Sequence, residues 1–271
     1  MQTPTFLHSL IDDAAIFPPG NLPLDEALAA HEEHHDADYA DLVGPFVVND
    51  GRLPELCETI TSPIAINLVV TGGAGAIGGA VTWANRAEGV TLNAVEFALR
   101  DEDDLPHNAR RVIAACDDGG LDCPVFVEPP RLRGDQPSHG WLAALDVLAE
   151  REFPLKFRLG GVEPDMVPSS AEVAASINAA LDRELPFKGT AGLHHAIRND
   201  DGHGFLNVLL ATRANLDGHD VVAVLDERDP QAVLAKLDPD TMQRTRKWFT
   251  SFGSCNILEP HDDLVELGVI A

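Results

Sequence analysis

The chain has 271 residues, 45% of them hydrophobic, and carries 44 acidic against 19 basic side chains for a net charge of −25. A surface this acidic repels phosphate backbones and anionic lipid, so neither nucleic acid nor a membrane is expected as a partner. The length suits a single α/β barrel domain spanning residues 1–271, since such barrels run to about 250 residues.

Four cysteines (Cys57, Cys116, Cys123, Cys255) with no C-x-x-C spacing make no disulfide framework and are expected as reduced thiols. The first eighteen residues lack a basic segment and carry Asp12 and Asp13 where a secretory signal would be apolar. No apolar run reaches the roughly 18 residues of a membrane span. A soluble, cytoplasmic protein is the expectation.

In chain order, residues 10–17 read as a strand closed by Pro18-Pro19-Gly20, and 24–35 follow with helical spacing. A second strand at 42–48 is broken by Asn49-Asp50-Gly51 and leads to a helix over 53–59. Strands at 65–70, 94–99 and 124–128 are each followed by helical patterns, at 79–87, 105–116 and 141–151. The sixth strand is 155–158, with a helix over 170–181, and the seventh is 187–190. The eighth is 249–252, before a last helix at 262–267. Eight strands, each followed by a helix, predict a (β/α)8 TIM barrel. Residues 198–246, between the seventh and eighth strands, hold additional helices near 205–216, 220–237 with a break at Pro230, and 241–247. This extension reads as an elaborated helical layer, with a lid or an oligomer surface as the alternative.

Gly73, Gly75 and Gly78 satisfy G-x-G-x-x-G between a strand and a helix, with Glu96 eighteen positions beyond. That is the spacing of a dinucleotide site. The motif follows two earlier βα units, however, and the only tyrosine, Tyr39, has Val43 rather than a lysine four residues on. A tight βα loop is the preferred reading, and no cofactor is expected.

Charged residues inside apolar strands carry more information. The chain has only four lysines, and two of them, Lys156 and Lys188, lie in strand patterns. Arginine cannot shed its proton, so a lysine retained there points to an amine whose pKa has to move. Strand alternation puts Lys156 with Arg158 on one face and Lys188 with Thr190 on one face. Glu96 and Glu128 are likewise embedded in apolar strands. At the C-terminal mouth of a parallel barrel these groups would converge. The alternative is a structural salt-bridge layer, although buried ion pairs are weak stabilisers. The chemistry the cluster suits is amine catalysis, with Lys156 as nucleophile, Lys188 and Arg158 lowering its pKa, and Glu96 with Glu128 moving protons.

One of Asp12 and Asp13 is expected to face the mouth at the first strand. Ser251 and Ser254 at the eighth strand are candidates to hold an anion through hydroxyl and backbone N–H groups. His194-His195 lies just past the seventh strand. With Glu96 and Glu128, one of these histidines would instead support a metal-dependent isomerase or lyase. His31, His34 and His35 sit at helical spacing among carboxylates and read as a solvated face.

Several of these stretches resemble the deoxyribose-phosphate aldolase family, class I aldolases on a (β/α)8 barrel. Leu10-Ile11-Asp12-Asp13 resembles that family's opening strand, and Val43-Gly44-Pro45-Phe46-Val47 its second. Ala94-Val95-Glu96-Phe97 resembles its fourth, where an acidic proton shuttle sits, with Glu96 in place of the usual aspartate. Val125-Phe126-Val127-Glu128, followed by Pro129-Pro130, resembles the fifth. Lys156 with Gly160 four residues on matches the Schiff-base strand, and Lys188 with Gly192 the second-lysine strand, whose amine tunes the first. Phe252-Gly253-Ser254-Cys255 resembles the turn that helps hold the substrate phosphate. Phe157, Arg158 and Leu159 stand where that family carries small hydroxyl residues.

The resemblance implies a lyase that forms a Schiff base on a small polar carbonyl compound, phosphorylated or not, with no metal and no cofactor. Lys156, Lys188, Glu96 and Glu128 are then the catalytic set. Asp12, Asp13, Arg158, Thr190, Gly192, His194, Ser251, Gly253 and Ser254 are the substrate-binding set. A homo-oligomer is open, as is a barrel without catalysis that serves as an acidic binding or assembly protein.

Overall fold

A computed structural model describes residues 3–271. Eight parallel strands close into a barrel in sequence order: β1 (Ile11–Asp13), β2 (Val43–Asn49), β3 (Ile64–Val70), β4 (Val90–Ala98), β5 (Val125–Glu128), β6 (Leu155–Arg158), β7 (Phe187–Thr190) and β8 (Phe249–Ser254). Closure is between β1 and β8, with Ile11, Asp12 and Asp13 opposite Phe252, Gly253 and Ser254. Helices α1 (Leu24–Asp36), α2 (Leu53–Thr59), α3 (Ile77–Arg86), α4 (Leu105–Gly119), α5 (His139–Ala149) and α6 (Ser170–Leu181) follow the first six strands, and α11 (Leu258–Glu266) follows the last.

The expected (β/α)8 barrel is therefore the observed fold. Several boundaries differ, among them the start of β4, at Val90 rather than 94. β1 ends at Asp13 rather than running to residue 17, because the Asp13 carboxylate accepts from the Ala15 N–H at 3.1 Å and Phe17 N–H donates to Ala14 O, bending the chain. The last helix starts at Leu258 instead of 262, where Asn256 Oδ1 accepts from the Leu258 N–H.

Strand alternation explains where the core sits. Lys156 and Lys188 point into the barrel, so Phe157 and Phe187 point out, where their rings lie 5.3 Å apart and Phe187 lies 5.5 Å from Phe249. The apolar core thus occupies the layer between sheet and helices, and the barrel axis is polar. The segment after β7 contributes α7 (Phe205–Leu216), α8 (Val221–Leu225), α9 (Pro230–Leu234) and α10 (Pro239–Thr245). α7 is buried along most of its length, and its Phe205 stacks on Phe252 of β8 at 4.9 Å, so this helix completes the outer layer.

Arg246, just beyond α10, is the tie that seals the barrel. Its guanidinium donates to the carbonyls of Phe6, His8, Phe249 and Thr250, joining the chain before β1 to the start of β8. Burial lowers its pKa to about 10.

Candidate active site

β6 and β7 pair with Lys156 directly opposite Lys188. Both amines project into the barrel and meet the carboxylate of Glu96 from β4: Lys156 Nζ donates to Oε2 at 2.9 Å and Lys188 Nζ to Oε1 at 2.5 Å. Lys156 also lies 2.9 Å from Glu128 Oε2. Glu128 Oε1 accepts in turn from Arg158 Nε at 3.0 Å. Lys188 makes a second ion pair with Asp12 of β1 and lies over the Phe126 ring, 5.4 Å from its centre. Asp12 Oδ2 further accepts from Asn67 Nδ2 at 3.1 Å and Ser251 Oγ at 3.0 Å. Asn67 is held by Asn93, whose Nδ2 donates to its Oδ1 at 2.8 Å. Three carboxylates and three cations from five strands thus form one alternating chain.

Exposure grades along that chain. The Lys188 side chain is 1% exposed, Lys156 6%, Glu128 12% and Arg158 48%. Lys188 is the floor, Arg158 the rim, and Lys156 the amine between them. Above them opens a cavity of about 340 Å³ bounded by Val47, Val70, Arg100, Met166, Thr190 and Cys255, among others. That volume takes a small organic substrate.

Burial alone would strip the charge from Lys156. The charges and hydrogen bonds of Glu96 and Glu128 outweigh it and hold the pKa above the ordinary lysine value. For Lys188 too, burial is overcome by Asp12 and Glu96, and its pKa is raised. Burial works against ionised Glu96, but the two ammonium groups win and hold it at about 2. Glu128 follows the same balance, with Lys156 and Arg158 keeping its pKa below the usual carboxylate range. The expectation that Lys188 and Arg158 depress the Lys156 pKa is therefore reversed. Carboxylates intervene at each step, so cation faces anion and not cation.

The other expected site residues divide. Thr190, His194 and Gly253 line the cavity with Glu96, Glu128, Lys156, Arg158 and Lys188. Asp12 and Ser251 lie beneath it as partners of the Lys188 floor. Asp13 does not face the mouth. Alternation turns it outward, where it takes the Nδ1 of His31 on α1 at 2.9 Å. His31 is accordingly 4% exposed and not part of a solvated face. Ser254 does not reach the cavity; its hydroxyl is engaged with the backbone of Asn256.

Gly192 packs backbone to backbone on Gly160: a Cβ on either would stand 2.7 Å from the other's Cα, and Gly192 has φ +72°. The two glycines let the loops after β6 and β7 touch at the rim. Phe157 and Leu159 do not crowd Lys156, because Phe157 is turned to the outer layer.

His194 Nδ1 pairs with Glu259 at 2.9 Å, and His195 Nδ1 pairs with Asp263 at 3.2 Å, both on α11. His195 is outside the cavity lining. Among the described residues no group of three or more His, Cys, Asp or Glu side chains is placed to share a metal ion. At the glycine-rich loop after β3 an acidic side chain stands where a pyrophosphate would have to lie: Asp50 accepts from Thr71 N–H at 3.0 Å and Gly72 N–H at 3.4 Å, while Glu96 faces two lysines. It is a βα loop. Asn67, Asn93 and Arg100 were not anticipated. An asparagine amid the apolar β3 run is the signal that could have marked the first of them.

No family model matches the chain, and no curated protein matches it. Solved structures do. An aldolase designated QR15 superposes over 97% of this chain and 97% of its own with a TM-score of 0.53 at 10% identity. The deoxyribose phosphate aldolase from Aeropyrum pernix, described by its unique tetrameric structure, covers 98% of this chain and 94% of its own, with a TM-score of 0.56 at 11% identity. The chain shares its barrel with these aldolases. At such identities the likeness is one of fold, and what the site does has to be argued from its own groups. None of the described helices is long and apolar enough to cross a membrane.

Proposed function

We propose that the protein is a class I aldolase or related carbon–carbon lyase that forms a Schiff base through Lys156 on a small polar carbonyl compound. The observation that carries this reading is the graded lysine pair. Both amines border a substrate-sized cavity, Lys188 as its floor, 1% exposed and fixed by Asp12 and Glu96, and Lys156 nearer the mouth, 6% exposed between Glu96 and Glu128. The superposition on aldolases by fold agrees with it.

The same ion pairs serve successive states of the reaction. Before attack, Lys156 must pass a proton to a neighbour. Each carboxylate's pKa is depressed by the very charge that is lost, so Glu128 becomes a better base as Lys156 becomes neutral. The neutral amine adds to the carbonyl carbon. The carbinolamine hydroxyl then leaves as water, taking the proton back from Glu128. The resulting iminium carries its positive charge on the same nitrogen as the original ammonium, so Glu96 and Glu128 stabilise it with little rearrangement. Cleavage of the next carbon–carbon bond sends its electron pair toward the iminium as an enamine. The hydroxyl proton released with the aldehyde goes to Glu128. Lys188 keeps a fixed positive charge below Glu96 throughout. Arg158 and Arg100 at the rim supply cationic contacts for a polar or phosphorylated substrate tail, with Thr190, His194 and Gly253 beside them. A homo-oligomer accompanies this reading, because the Aeropyrum relative by fold is described as a tetramer.

The test is borohydride trapping with a panel of small aldehydes and ketones, phosphorylated and not, followed by peptide mass mapping. A reduced adduct on Lys156 is expected, and its loss in Lys156→Ala. Turnover of any panel member with no adduct on either Lys156 or Lys188 would overturn the proposal.

A further inference from the structure

A second cavity, of about 740 Å³, lies away from the barrel mouth. It lies outside the barrel, between α1, the outer wall of β2 and the segment that joins α2 to β3. Its charged lining is one-sided. Asp25, Glu32 and Asp36 contribute carboxylates, and no lysine or arginine borders it. Glu32 Oε1 accepts from Thr61 Oγ1 at 3.0 Å and from Ser62 Oγ, so α1 is tied across the cavity to the α2–β3 segment. Leu28, Pro45, Ile64 and Ala65 give the space between these groups an apolar floor.

The acidic rim alone would be an ordinary solvated edge. His31 adds a built feature. It is 96% buried, is part of the cavity lining, and is oriented by Asp13 through Nδ1 at 2.9 Å. Phe46 and His35 pack edge-on against its ring at 5.3 and 4.6 Å. Both Asp13 oxygens are used as acceptors, one from the Ala15 N–H and one from this imidazole, which places the ring proton on Nδ1. The opposite nitrogen, Nε2, has no hydrogen-bond partner among the described residues. Among the described residues no fully buried side-chain nitrogen or oxygen lacks a partner, so Nε2 has an opening, and the cavity is what His31 borders. A buried imidazole held rigidly by Asp13, with its second ring nitrogen unpartnered beside an acid-rimmed, apolar-floored space, offers that space a fixed polar contact.

We infer that this cavity is a binding site for a small aliphatic diamine or polyamine, whose ammonium groups meet the Glu32 and Asp36 carboxylates and His31 Nε2 while its methylenes lie on the Leu28–Pro45–Ile64 floor. The carboxylates of Asp25, Glu32 and Asp36 border it without a lysine or arginine, a flexible stem covers apolar surface at little cost, and the volume suits a ligand of this size. The site is separate from the lysine cluster and does not depend on the proposed aldolase activity.

A protein of net charge −25 attracts any polycation diffusely, so the experiment separates a site from a counterion cloud. Spermidine and 1,4-diaminobutane are titrated into the full-length protein by calorimetry at about 0.15 M salt, the ionic strength at which exposed charges are screened within about 8 Å. The variants are Glu32→Gln, Asp36→Asn, His31→Asn and, as a charge control far from the cavity, Asp103→Asn. One saturable site is expected, weakened about five- to tenfold by each of the first three, as for a lost charge-assisted hydrogen bond, and unchanged by the control. Two-bond proton–nitrogen spectra of the imidazoles provide a readout in the unmodified protein, with the His31 Nε2 resonance moving on saturation. Non-saturable binding, or equal weakening by all four substitutions together with a static His31 Nε2 signal, would overturn the inference. Should His31→Asn fail to fold, the two exposed carboxylate variants and the spectrum decide alone.

Discussion

Lys156 and Lys188 stand opposite one another in the β6–β7 register, yet neither amine faces the other bare, because the two oxygens of Glu96 are divided between them. The consequence is an ion-paired resting state in which both lysines hold their protons more tightly than in water. Catalysis through Lys156 then has to pass a proton to a neighbour, and where that proton goes sets its pH dependence.

The proton that Lys156 gives up stays on Glu128 and returns with the leaving water, so the reactive pair holds as many protons as the resting one. Log kcat/KM is therefore expected to stay flat between about pH 7 and 9, where at rest both lysines are charged and Glu96 and Glu128 are ionised. Glu128→Gln removes that acceptor and one of the carboxylates that raise the Lys156 pKa, so the amine has to lose its proton to solvent, and log kcat/KM is expected to start lower and to rise with pH over the same range. Rates of adduct trapping against pH for the two proteins check this. A wild-type rate that rises about tenfold per pH unit would contradict it.

Removing each lysine should separate reactivity from architecture. Without Lys156, Glu96 still has Lys188 and Glu128 still has Arg158. Without Lys188, Asp12 has no cation within ion-pairing distance among the described residues. Lys188→Met is expected to cost about 3–5 kcal/mol, the range for a buried charge left without its partner, and Lys156→Met distinctly less. Urea unfolding measures both, and equal losses would mean the network is not graded as described.

Much of this was legible in the sequence, for identifiable reasons. Short apolar runs punctuated by glycine, proline and asparagine marked all eight strands, and charged residues stranded inside them marked Lys156, Lys188, Glu96 and Glu128. What was not legible depends on orientation. Asp12 and Asp13 are equal as letters, and only strand alternation with His31 waiting on α1 sends one inward and the other out. The sign of the Lys156 shift was equally hidden, since it turns on which of two neighbouring charges lies at 2.9 Å. Ser254 read as an anion holder because the turn's own demand for its hydroxyl is a property of geometry alone.

Acid should act on the cluster through Glu96. Its folded pKa of about 2 lies below the ordinary 4.5, so its contribution is fully present above pH 4.5 and is lost as pH falls toward 2. The linked loss amounts to about 3 kcal/mol. Protonation of the many surface carboxylates also changes stability over this range, so the comparison is with Glu96→Gln. That variant is expected to be less stable than wild type at pH 7, and the gap should narrow as pH drops from 4.5 to 2 in denaturant titrations. A gap that stays constant would show that Glu96 keeps an ordinary pKa.

The rim offers the most local test. Gly160 and Gly192 approach so closely that a methyl group on either meets the other's backbone at 2.7 Å, and at Gly192 the φ of +72° adds backbone strain to the clash. Backbone cannot swing aside as a flexible side chain does, so the two loops have to separate. Gly192→Ala is expected to cost about 2–3 kcal/mol and to displace Ala191 and Thr190, which border the cavity. Gly134→Ala is the control for the conformational term alone, because its φ is +95° and nothing stands within 4 Å of the added methyl. Gly192→Ala should lose more stability than this control in thermal unfolding and should also slow adduct formation at Lys156, whereas Gly134→Ala should leave adduct formation unchanged. Equal effects of the two substitutions would mean that the Gly160 contact does not hold the rim.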